Sequence, residues 1–266
     1  MNNISTTVWD IDTIRCVNLA ASIVILYDHL LTLDDEFRYI WKKSWSLGKA
    51  LFIINRYYSL IATAGINNYA LFDLTEAVSF RFFYWEGWGG LITCMIAEII
   101  LQMRLYALYS LNKKILTVMI ISFILSLAGA AVVVGFVLND GAVQLDSDTL
   151  FCVPTLPTYS YSFWIPRLAF ETVLCILALI RGFQLRDEDT IDMDWSGSRL
   201  MKIMIKDSIG YYIIMFVIYL MCLVVWIKNI NLALISFGFS VAFSCVLGNR
   251  LMLTIRKVAY KREGKI

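Results

Sequence analysis

Histidine is almost absent from this chain, proline is scarce, and charged residues make up only 17% of it. A single histidine, His29, removes whole classes of chemistry. Bis-histidine haem membrane proteins and multi-histidine zinc hydrolases need several imidazoles in one chain. A serine–histidine hydrolase would need His29 opposite an activated serine, and no G-x-S-x-G turn is present. A glycine-rich phosphate loop is also missing, as is a lysine in the last apolar run that could carry a retinal Schiff base. The chain is therefore expected to be non-enzymatic, with no metal and no cofactor. Its three prolines, Pro154, Pro157 and Pro166, avoid the middle of every apolar run, so proline-broken helices are not expected. Six cysteines are too dispersed for a metal motif. The opening MNNISTTVWDIDTIR lacks the basic stretch and small-residue cleavage site of a signal peptide, so the first apolar run is expected to stay as an anchor.

What the chain has in place of charge is hydrocarbon. It is 59% hydrophobic with a mean hydropathy of +0.70. A bilayer core of about 30 Å needs roughly 20 mainly apolar residues per helical crossing. Seven runs qualify, near residues 17–33, 48–69, 88–109, 115–138, 163–183, 209–226 and 232–248. Backbone polar groups in lipid must pair internally, so the runs are expected to be helices. The fold class read from them is all-α: one integral membrane domain over residues 1–266, a bundle of seven transmembrane helices with a basic tail at 249–266.

Basic residues alternate between the gaps. Arg38, Lys42, Lys43 and Lys49 follow the first run; Arg104, Lys113 and Lys114 surround the third gap; Arg181, Arg186, Arg199, Lys202 and Lys206 surround the fifth. The tail adds Arg250, Arg256, Lys257, Lys261, Arg262 and Lys265. The positive-inside rule puts these on the cytoplasmic side, the C-terminus with them and the N-terminus outside. The sequon at Asn3 then faces outside as a candidate glycosylation site. Which membrane hosts the protein, plasma or internal, the sequence does not distinguish. Between the first two runs, Asp34 or Asp35 could start a short interfacial helix carrying Phe37, Ile40, Trp41 and Trp45 on one face. Small residues at Ser236, Ser240, Ser244 and Gly248, and at Ser122, Ser126 and Ala130, are expected to let helices pack closely.

Ionisable groups inside a span cost on the order of 3 kcal/mol at the bilayer centre, so each needs a partner or a wet cavity. Asp28, His29, Arg56, Glu98 and Asp207 form the candidate interior polar cluster, with Arg56 expected to meet Asp28, Glu98 or both. Stripes support this: Arg56, Ser59, Thr63 and Asn67 share one face, as do Cys94, Glu98, Gln102 and Tyr106, and Asn18, Ser22 and His29 line up on the first run. The cluster reads either as a site for a polar ligand, ion or proton, or as a neutralised network fixing helix register. Arg167 and Glu171, four apart, could pair within one helix or seek partners on another. Cys16 and Cys152 are the cysteines nearest the outside and make a candidate disulfide.

The topology is that of G-protein-coupled receptors, but the third run ends in Gln102-Met103-Arg104-Leu105-Tyr106 rather than an acidic-Arg-Tyr triplet. A closer likeness lies in YDHLLTLDDEFRYIWKKSWSLGKALFIINRY (Tyr27–Tyr57), WEGWGG with LQMRLYALY (Trp85–Tyr109), FWIPRLAFETVLCILALIRGFQ (Phe163–Gln184), IKDSIGYY and LGNRLMLTIR. Together these resemble a large fungal, chiefly basidiomycete, family of multi-pass membrane proteins known by a domain of unknown function (DUF6533). The resemblance implies a seven-helix membrane protein and brings no activity, substrate or cofactor. Three roles fit: a receptor-like protein with a polar interior ligand site, a transporter or lipid-handling protein using the same cluster, or a structural membrane component. The partners expected are the lipid bilayer, a small-molecule ligand and a cytosolic protein at the inner loops and tail, with no nucleic acid.

Overall fold

The computed structural model describes residues 2–62, 76–140, 142–145, 152–188, 196–228 and 233–263. They form helices α1 (Asn2–Glu36), α2 (Leu47–Ile53), α3 (Glu76–Leu108), α4 (Lys113–Asp140), α5 (Trp164–Glu188), α6 (Ser196–Lys228) and α7 (Ala233–Glu263). Wider π-helical turns follow α1 at Phe37–Trp41 and α2 at Ile54–Tyr58, and a 3-10 turn at Thr158–Phe163 leads into α5. A two-stranded antiparallel hairpin, β1 (Ala142–Leu145) with β2 (Cys152–Thr155), joins α4 to that turn in the register Ala142–Thr155 to Leu145–Cys152.

Six stretches are long and apolar enough to cross a membrane: Thr13–Trp41, Tyr84–Leu108, Lys113–Asp140, Thr158–Gln184, Ile209–Lys228 and Gly238–Lys257. They mark an integral membrane protein. The expected span at 48–69 is helical from Leu47 to residue 62, and its remainder lies outside the described residues. Helices outrun the apolar runs because hydropathy and helicity are separate properties. No Gly or Pro interrupts Asn2–Glu36, so α1 continues for 35 residues, about 52 Å at 1.5 Å per residue.

One expectation is corrected. The connector after the first run is not a separate helix capped by Asp34 or Asp35. Nothing breaks α1 before Glu36, so both aspartates sit in its last turn. The cap lies later, where the Ser46 side chain accepts from the Lys49 backbone N–H at 3.3 Å and starts α2. The basic tail beyond Gly248 is helical over its described residues. It is the continuation of α7 through Glu263, and it packs on the end of α1: Lys257 pairs with Asp35 at 3.2 Å and Arg256 donates to Ser46 Oγ at 2.7 Å.

α3 and α7 are the most buried spans. α7 touches α1, α3 and α6, while α3 also touches α4 and α5. The largest core cluster fills the space among α3, α4, α5 and α6, and a smaller one (Ala21, Ile25, Ala242, Cys245) joins α1 to α7. Ser236, Ser240 and Ser244 are buried on α7, as are Ser126 and Ala130 on α4, so these small residues do lie at packed faces. Gly238 meets the Asn18 side chain of α1 so closely that a methyl group there would collide with it. Tyrosine hydroxyls cross between helices to backbone carbonyls, Tyr212 to Leu101 at 2.9 Å and Tyr109 to Leu177 at 2.7 Å. Arg181 donates to Leu108 O at 3.2 Å, satisfying a free carbonyl at the end of α3. The chain then reverses into α4 through Ser110 and Leu111, both left-handed at φ 52° and 63°.

Candidate functional site

The expected single polar cluster is two clusters, at different places in the bundle. Arg56 takes neither Asp28 nor Glu98. Its Nε meets Glu36 Oε2 at 2.7 Å with both side chains at most 2% exposed, its Nη2 donates to the His29 carbonyl at 2.9 Å, and its guanidinium lies over the Phe52 ring. Glu36 Oε1 also accepts from Tyr57 Oη and Trp41 Nε1, both at 2.9 Å. Asp28 instead accepts from Arg250 Nε of α7 at 2.6 Å. The His29 ring stands edge-on to Tyr57. Asn55 donates to Asn249 Oδ1 at 3.0 Å and to the Cys245 carbonyl.

Asp28, His29 and Arg56 do come together around a shared cavity, but it holds only about 10 Å³, roughly the space of one water. Nε and Nη2 of the guanidinium are taken by groups of the chain itself, while its buried Nη1 has no hydrogen-bond partner among the described residues. This network ties α1, α2 and α7 in register, as a buried ion pair can do.

Glu98 belongs to the second cluster. It faces Arg167 Nη2 of α5 at 3.4 Å, with Arg167 at 2% and Glu98 at 4% side-chain exposure. Arg167 therefore pairs across helices rather than with Glu171 one turn on. Glu171 is fully buried, and neither of its oxygens has a hydrogen-bond partner among the described residues. Tyr219 of α6 and Cys94 of α3 close this cluster, hydroxyl against thiol. Phe163 lies over the Arg167 guanidinium at 5.4 Å, stacks on Trp226 and touches Trp164, which in turn packs on Tyr219.

That aromatic layer is also the wall of a larger cavity of about 70 Å³ at the hairpin end of the bundle. α3 supplies Glu86 and Gly87, α4 supplies Val133, Val134, Val137 and Leu138, and Phe163 and Trp226 complete it with Leu156 and Ser160. Glu86 is the one ionisable residue in an otherwise almost wholly apolar lining. Trp226 is fixed there by its Nε1 donating to Ser236 Oγ at 2.7 Å.

The side chains of Asp207 and Asn3 lie outside the described residues. Cys16 is a free, exposed thiol on α1, so the expected Cys16–Cys152 disulfide is not formed at Cys16; the Cys152 side chain lies outside the described residues.

Sequence reading missed Glu36, Arg250 and Glu86. Glu36 had a signal: it lies seven residues after His29 and so returns to the same helix face, provided α1 runs on through Leu33. Arg250 was absorbed into the basic tail. Glu86 lay inside the WEGWGG string, two residues before the expected third span.

No curated protein matches the chain. Residues 16–61, which contain both partners of the Glu36–Arg56 pair, match the model of a family of unknown function (DUF6533), so over the first two helical stretches the chain is similar to that family.

Proposed function

We propose that this is a receptor-like, non-enzymatic membrane protein whose ligand enters the cavity at the hairpin end, with the N-terminus outside and the C-terminus cytoplasmic. One observation carries the reading: the cavity at Glu86 shares the Phe163–Trp226 wall with the buried cluster of Glu98, Arg167 and Tyr219. A group pressing on Phe163 would shift the ring that covers Arg167, and through it the packing of α3, α5 and α6. At about 70 Å³ the cavity is smaller than the ~150 Å³ apolar hole that admits benzene. The ligand class is therefore an amphiphile that sets a cationic or hydroxyl group against Glu86 and fills the cavity with the few alkyl carbons next to it. The orientation rests on the gathering of Arg38, Lys42, Lys43, Arg256 and Lys257 around the opposite end of the bundle.

Native mass spectrometry of the protein in nanodiscs, with a long-chain alkylamine as probe, tests this. The wild type and Arg56→Ala should retain one amine per chain. Val134→Phe, which fills the cavity, and Glu86→Gln, which removes the ionisable carboxyl, should lose it at least tenfold. Equal retention by the filled variant would place the ligand elsewhere, and no retention by the wild type would remove the reading.

A further inference from the structure

We propose that the Glu98–Arg167–Glu171 cluster is a binding site for a single exchangeable proton, carried on Glu171. The argument begins with charge. Two carboxyls face one guanidinium, and all three are almost completely shielded from solvent. Glu98 makes the ion pair with Arg167 at 3.4 Å, while both Glu171 oxygens are buried with no hydrogen-bond partner among the described residues. The cluster is one positive charge short, and an uncompensated carboxylate is among the most costly groups a membrane interior can hold.

The other groups facing Glu171 do not supply that charge. On α3 these are Glu98 itself and the neutral thiol Cys94; Arg104, also on α3, acts on Tyr212, and the cation acting on Glu171 is Arg167. On α5 they are Arg167 and Cys175, and on α6 the neutral phenols Tyr212 and Tyr219.

A proton fits the vacancy better than a metal cation. A hard cation needs several oxygens around it, and Arg167 would repel it from the two carboxylates that could provide them. Binding is a simple step: a hydronium ion of the bulk gives its proton to one Glu171 carboxylate oxygen, so one O–H bond forms as one breaks and a water molecule is left. The site stands independently of any ligand at Glu86.

The test is infrared spectroscopy of the nanodisc-embedded protein at neutral pH. The wild type minus Glu171→Gln difference should show the protonated-carboxyl band of one group per chain, displaced in deuterium oxide. The same band should vanish in Glu98→Gln, because removing either carboxylate leaves Arg167 one matched partner. Both variants should unfold at or above the wild-type temperature. The proposal is overturned if Glu171→Gln leaves the spectrum unchanged, or if the band survives in Glu98→Gln. It is also overturned if sodium chloride, but not choline chloride, raises the unfolding temperature of the wild type alone, since the missing charge would then be a sodium ion.

Discussion

Replacing Arg56 by alanine should destabilise the protein by about 3 kcal/mol, at the lower end of the range for breaking a buried ion pair. The lower end applies because of what is left behind. Glu36 loses the 2.7 Å contact to Arg56 Nε but keeps the hydroxyl of Tyr57 and the indole N–H of Trp41. The His29 carbonyl loses its donor, and Phe52 loses the guanidinium over its ring. At roughly 2–4 °C per kcal/mol for a chain of this size, unfolding in nanodiscs should begin about 6–12 °C lower. The sharper assay is the double variant Glu36→Leu/Arg56→Met. Exchanging both partners for apolar groups of similar bulk abolishes the buried charge, so at least half of the loss should return. The Trp41 and Tyr57 donors are close enough to the surface to find water. If Arg56→Ala unfolds within about 2 °C of wild type, or the double variant is no better than the single, the pair does not hold α1 to α2.

Arg250→Ala should cost about 3 kcal/mol in the same unfolding curves, because Arg250 is 49% exposed but the Asp28 carboxylate it leaves without a counterion is only 5% exposed. Trp226→Phe removes the 2.7 Å bond to Ser236 and should cost about 1 kcal/mol in chemical or thermal unfolding. Gly238→Ala should destabilise through collision with Asn18, and Asn18→Ala should suppress the defect when the two are combined, whereas independent sites would add. Leu111→Gly should raise stability by about 1 kcal/mol, since an exposed leucine at φ 63° carries a left-handed penalty that glycine does not.

Hydropathy reported where helices meet lipid and was silent on where they end. That is why α1, α6 and α7 outran the expected spans: Asp34, Lys202 and Arg250 lower hydropathy without opposing a helix. The stripes were legible because helical geometry places residues three and four apart together, and Asn18, Ser22, Arg56, Ser59, Glu98 and Gln102 are all buried. Partner choice was not legible. Matching depth made Asp28, Glu98 and Arg56 equally plausible partners, but depth says nothing about which helices are neighbours. Glu98 found Arg167 because α3 packs on α5, and Asp28 found Arg250 because α7 continues beside α1. The cavity at Glu86 was hidden for the same reason, since its walls come from four separate elements.

The contact between α1 and α7 also sets an order of assembly. Asp28 and its partner Arg250 are 222 residues apart, so a ribosome delivers the aspartate to the membrane long before its counterion exists. Asn18 likewise waits for Gly238. Throughout synthesis the first helix carries polar groups that only the last described helix can cover, and it must be sheltered in the meantime by the insertion machinery or by water at its ends. A chain stalled before α7 would leave Asp28 uncovered in the bilayer, a mark by which quality control could tell unfinished molecules from finished ones.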